Sequence, residues 1–283
     1  MTEIEELAKN LESGNEADRI YAAEDIGYAN RPEGVAPLLA RLPSESSRAV
    51  REAIFSALQG IDDSSVTEGA IALLSSEDTF VRNQAVELLQ KRGAAVVPFL
   101  NLAFATAARD ERKMIVDVLA SVDGEESSEI YATALSDSDV NVVITAVESL
   151  GNAGKIAFRE RVAEFAAGEN PMLTGACLEA LVRMGDAASV DLVRAGLAAR
   201  GPLADFLLPL YLKLLAAHGA DSALAEAVAM LDFYGPHMHG SILQTVQSLH
   251  HRFPLVPLSA AVAVRLANTA PCIPAAPREE SGA

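Results

Sequence analysis

The sequence predicts an all-α fold, an α-solenoid of about eight stacked helix pairs behind an N-terminal cap helix. Three observations carry that prediction. An apolar block with helical periodicity recurs about every 31 residues. Helix start and stop residues recur at fixed distances from it. Ala supplies 51 of the 283 residues, while aromatics are only 5% and Trp is absent. Small side chains let short helices pack closely, and Ala has the highest helix propensity.

The repeated block is clearest at Val81-Arg82-Asn83-Gln84-Ala85-Val86-Glu87-Leu88-Leu89. Residues 50–58 and 18–26 match it, and weaker copies end at Leu119, Leu150, Leu181, Leu215 and Leu249. The closing positions 26, 58, 89, 119, 150, 181, 215 and 249 are spaced by 32, 31, 30, 31, 31, 34 and 34 residues. Val81, Ala85, Leu88 and Leu89 fall at i, i+4, i+7 and i+8, one face of a helix. Asn15, Ser47, Asp78, Asp139 and Asn170 precede their blocks, where a side-chain oxygen caps free helix N–H groups. Pro171 follows Asn170 and costs nothing in a first turn.

Four residues past a closing residue come Asn30, Gly93, Gly154, Gly185 and Gly219, types that tolerate the left-handed conformation ending a helix. A second apolar helix follows each block, at about 35–42, 66–74, 96–103, 129–135, 157–167, 188–199, 222–231 and 258–267. Residues 2–11 form the leading helix. One helix pair cannot bury its own apolar face, but a stack of pairs can. The stack is expected over 1–267, with a kink or sub-boundary near 201–219, because Pro209 falls inside the seventh first-helix at 205–215. Residues 268–283, with three prolines, are expected to be a flexible tail.

Helix pairs with an Asp or Asn cap, a Val-Arg pair, a central Ala and a closing Leu-Gly resemble HEAT repeats. The short period is similar to the subgroup named after phycobilisome lyases. The resemblance covers about 4–267 and implies a right-handed solenoid whose second helices line a concave face. It also implies that the Arg of the Val-Arg pair bonds an Asp of the neighbouring repeat. Arg19, Arg51, Arg82 and Arg112 match that position, with Asp78 and Asp139 as acceptors. Val143 and Thr174 replace Arg in the fifth and sixth repeats, so the ladder stops there.

The net charge of −17 is unevenly spread. Residues 1–150 hold 27 acidic and 12 basic side chains, against 12 and 10 in the remainder. Such a chain is a poor match for nucleic acid, where binding runs through Lys and Arg. No secretory signal and no membrane span is visible, so a cytoplasmic protein is expected. No cofactor is expected, and two Cys exclude a disulfide scaffold. Cys177 takes a central Ala position and reads as a buried, inert thiol.

Asp137, Asp139, Asn141 and Glu148 imitate a calcium loop, but Val142 stands where that loop requires Gly. They read as a helix-cap cluster. His237, His239, His250 and His251 crowd near the C-terminus and are weak candidates for zinc or nickel. No catalytic residue is identified. Asp123, Glu125, Glu126 and Glu129 mark an acidic turn, read first as a solvated turn and in the alternative as a contact for a basic partner. Phe233 and Tyr234 head an unusual loop that reads equally as an interaction knuckle or as a segment folded back onto the core. The last helix is apolar on most sides, which favours a homodimer through the C-terminal helices.

The expected role is a non-enzymatic scaffold or adaptor binding a protein partner, with a basic patch, on the concave face. The alternative is a lyase or chaperone-like subunit that attaches a bilin-like cofactor to a protein.

Overall fold

The computed structural model describes residues 2–122, 127–198 and 203–268. Among them are seventeen α-helices and no strand. The chain forms two compact units, Met1–Ala146 and Val147–Ala283.

In unit 1 the cap helix is α1 (Glu3–Asn10). Thr2 and Glu5 close a reciprocal capping box at its start, satisfying two free N–H groups. Four pairs follow: α2 (Glu16–Ala29) with α3 (Val35–Arg41), α4 (Arg48–Gly60) with α5 (Ser64–Leu73), α6 (Thr79–Lys91) with α7 (Val97–Phe104), and α8 (Arg109–Leu119) with α9 (Ser127–Ala134). First helices stack on first helices, and second helices on second. Helix α10 (Val140–Asn152) begins in unit 1 and ends in unit 2.

Unit 2 continues with α11 (Arg159–Ala166), α12 (Pro171–Met184), α13 (Ala187–Ala198), α14 (Leu208–His218), α15 (Ser222–Phe233), α16 (His239–Arg252) and α17 (Ala260–Ala267). All eight closing residues of the repeat lie within helices and are fully or almost fully buried.

The caps explain the helix starts. Asn15, Ser47, Asp78 and Asn170 accept from backbone N–H groups of their first turns. The stops divide into two kinds. Asn30, Gly93 and Gly154 take positive φ, as a left-handed cap requires. Gly185 and Gly219 do not; their φ values are −75° and −58°. Glycine serves another purpose there. A Cβ at either would stand 2.5 Å from the carbonyl oxygen of Leu181 or Leu215.

Pro209 also differs from expectation. Helix α14 starts at Leu208, so Pro209 occupies its first turn and removes no intrahelical hydrogen bond. The expected tail lies outside the described residues, apart from Asn268.

Close approach of first helices follows one register. Gly27 on α2 faces Ala57 on α4, and Gly151 on α10 faces Ala180 on α12. In both pairs the glycine stands one residue past a closing position and the alanine one residue before the next. A Cβ on Gly151 would lie 2.6 Å from the Ala180 Cα, so glycine sets that spacing.

Candidate functional site

The arginine positions of unit 1 share one geometry. Arg19, Arg51 and Arg82 each donate to a carbonyl six residues back, on Ser13, Glu45 and Ser76, and Arg112 to one five back, on Ala107. Each thereby ties the turn before its own helix. Three of them also reach a carboxylate of the next repeat.

Arg19 holds Glu45 through two bonds of 2.7 and 3.0 Å. Arg41 donates twice more to Glu45, and the Ser47 N–H once. Glu45 is only 1% exposed. Burial alone would raise its carboxyl, but five donors outweigh that and hold it down at about 2. Arg51 meets Asp78 at 2.7 Å. Two backbone N–H groups of α6 also bond Asp78, and its carboxyl falls below the ordinary range.

Arg112 pairs with Asp137 through bonds of 2.6 and 2.9 Å, not with Asp139. Asp139 instead caps α10 by accepting from the Asn141 N–H at 2.8 Å, and lies 3.8 Å from Arg109. The acceptor is therefore not always the cap residue. Glu45 and Asp137 both stand two residues before a cap, a position the sequence reading did not align.

Arg82 makes no ion pair with a described residue of another repeat. It bonds the Ser76 and Glu77 carbonyls and the Thr79 hydroxyl. In the next repeat neither acceptor position carries an acid: Ala108 occupies the cap position of α8, and Thr106 stands two residues before it, where Glu45 and Asp137 stand in theirs. At this gap lies a groove of about 560 Å3, lined by Leu74, Glu77, Arg82, Glu111, Met114 and Asp117 among others.

In unit 2, Thr174 takes the arginine position and its hydroxyl donates to the Gly168 carbonyl, again six residues back. A second repeated device was missed in the sequence. Arg92, His218 and Arg252 all stand three residues past a closing position. Arg92 donates to the Ile61 carbonyl, His218 Nε2 pairs with the Val182 carbonyl, and Arg252 donates to carbonyls of Ala216 and Ala217. Each satisfies the end of the preceding first helix. Aligning that one column of the repeat would have exposed them.

The histidines have separate partners. His237 meets Asp205 at 2.8 Å. His239 bonds the Tyr234 carbonyl through Nε2, and its Nδ1 accepts from Arg265. His251 is exposed, and His250 Nδ1 is enclosed without a hydrogen-bond partner. Among the described residues, no three His, Cys, Asp or Glu side chains are placed to hold a metal ion. Cys177 is fully buried, and burial pushes its thiol far up.

Phe233 is 79% exposed, while Tyr234 is half-buried and donates to the Leu203 carbonyl. Asp123, Glu125 and Glu126 lie outside the described residues. Glu129 is exposed on α9 and accepts from Asn101.

Residues 4–90 match the family model of HEAT repeats. The Arg19–Glu45 and Arg51–Asp78 pairs lie inside that HEAT span, and Arg112–Asp137 repeats the arrangement beyond it. No curated protein matches the chain. Among solved structures, an engineered protein aligns with a TM-score of 0.45 and 16% identity, covering 88% of this chain and 79% of its own. The complex of CpcE and CpcF of phycocyanin lyase from Nostoc sp. aligns with a TM-score of 0.31 and 19% identity, covering 76% and 96%. A structure of tubulin recruitment by microtubule polymerases with TOG domain arrays aligns with a TM-score of 0.33 and 10% identity, covering 94% and 82%. No helix among the described residues is long and apolar enough to cross a membrane.

Proposed function

We propose that the chain is a non-enzymatic scaffold for a protein partner with a basic patch, and that the partner meets the first-helix side of unit 1. The observation that carries this reading is a coincidence of exposed aromatic and acidic groups there. Tyr21 and Tyr28 are 64% and 85% exposed and lie seven residues apart on one face of α2. Glu24 and Asp25 stand between them, both exposed. The position of Glu24, two before the closing residue, is filled by exposed Glu87 on α6 and Asp117 on α8. Tyrosine is enriched among residues that dominate binding energy, and complementary charge speeds encounter.

The second helices offer a different surface. Ala36, Ala40 and Ala72 are exposed there, with fewer charges between them. That surface gives a basic partner less to hold, so the expected concave face is the weaker choice. At the other end, Val264 on α17 is 62% exposed and Leu255 before it 95%. Self-association through that end is a companion proposal, checked by sedimentation equilibrium.

Capture from the source cells with a short cross-linker tests the main reading. Cross-links from α2 and α6 to one partner are expected, with release between about 50 and 500 mM salt as charges are screened. Cross-links confined to the second helices, or retention indifferent to salt, would overturn it.

A further inference from the structure

We propose that the groove at the unbridged Arg82 is the docking site for a lysine- or arginine-bearing segment of the partner; this rests on the scaffold reading above. In the repeats on either side, an arginine crosses to a carboxylate of the following turn. Here the following turn has Thr106 and Ala108 at the two acceptor positions, Arg82 bonds the Ser76 and Glu77 carbonyls and the Thr79 hydroxyl, and the groove lies beside it.

The chemistry of the walls selects the occupant. Leu74 and Met114 give the groove apolar surface. Glu77, Glu111 and Asp117 line it without an ion pair to any described cation, while Asp110 is paired with Arg109. Against them stand Arg82, whose guanidinium is already engaged by three acceptors, and Lys113. Apolar surface beneath unpaired carboxylates fits a side chain with an aliphatic stem and a cationic head. A groove of about 560 Å3 admits more than one such side chain. An acidic segment would meet Arg82 and Lys113 but face the carboxylates of Glu77, Glu111 and Asp117.

The test uses the full chain and a fluorescein-labelled decapeptide of alternating Leu and Arg, read by anisotropy at about 50 mM salt. A Leu/Glu decapeptide is the control. The Glu77→Gln/Glu111→Gln double variant is expected to weaken Leu/Arg binding about tenfold or more. A Glu33→Gln/Glu68→Gln variant, on the second-helix side, removes the same charge and should change binding less than threefold. Ala108→Asp supplies the absent carboxylate to Arg82. It should raise the Tm and weaken the peptide by a similar tenfold, which separates groove closure from misfolding.

Equal weakening by both double variants overturns the groove and leaves the acidic scaffold standing. Preference for the Leu/Glu peptide overturns the cationic occupant. Absence of Leu/Arg binding overturns both the groove and the basic-partner reading.

Discussion

Replacing Glu45 by Gln should cost about 3 kcal/mol at pH 7, and the cost should vanish in acid. Glu45 is enclosed and accepts from Arg19, Arg41 and the Ser47 N–H. Its carboxyl falls from 4.5 to about 2. Each pKa unit is worth about 1.4 kcal/mol, so the ionised form contributes roughly 3 kcal/mol to the folded state. Breaking one side of a buried pair gives a similar figure, about 3–5 kcal/mol, because Arg19 stays buried with its charge unmatched. The folded pKa is depressed, so this contribution is complete above about pH 4.5 and disappears as pH falls through about 2. Urea unfolding followed by circular dichroism, for both proteins at pH 7, 4, 3 and 2, measures the difference directly. Stabilities that match at pH 7, or a difference that stays constant down to pH 2, would refute the reasoning.

Gly151→Ala should destabilise by about 1–3 kcal/mol, because its Cβ would stand 2.6 Å from the Ala180 Cα; Gly14→Ala, with nothing within 4 Å, should not destabilise, and thermal melts compare the two. Asp78→Ala removes the α6 cap and the Arg51 partner together, and should cost at least about 1 kcal/mol in urea unfolding. In a Cys272→Ser background, Cys177 should label with a thiol reagent only as fast as its surroundings open, so rapid labelling of the folded protein would contradict its burial.

The helix pairs were legible because local and global requirements coincide in them. Val50, Ile54 and Leu58 are apolar to face a neighbouring layer, and the same spacing is the helical period. Caps such as Asp78 and Asn170 were legible because one side chain satisfies its own helix. The stops at Gly185 and Gly219 misled, because glycine answers two needs, positive φ and close contact, and the sequence does not separate them. The ladder partners were half legible. Asp78 was found because it doubles as a cap, whereas Glu45 and Asp137 precede caps and serve mainly the arginine across from them. The groove was not legible, because it depends on how the turn before α6 and helix α8 stand in space, which no single residue type announces.

That asymmetry bears on where a repeat protein can carry specificity. In a stack, each layer touches only its neighbours, so a residue that obeys the repeat stabilises one interface and distinguishes none. Arg51 and Arg112 are such residues. A departure is different, since it is confined to one layer and leaves the next to be tied by its own ion pair. Thr174 departs by keeping the carbonyl bond and giving up the cross-repeat charge, and the site stays buried. Ala108 departs by giving up the acceptor, and beside it lies a groove whose Glu77, Glu111 and Asp117 pair with no described cation. The layers on either side of it are tied by Arg51–Asp78 and Arg112–Asp137. Placing an acid at 108 is therefore the substitution expected to strengthen the fold and weaken binding at once.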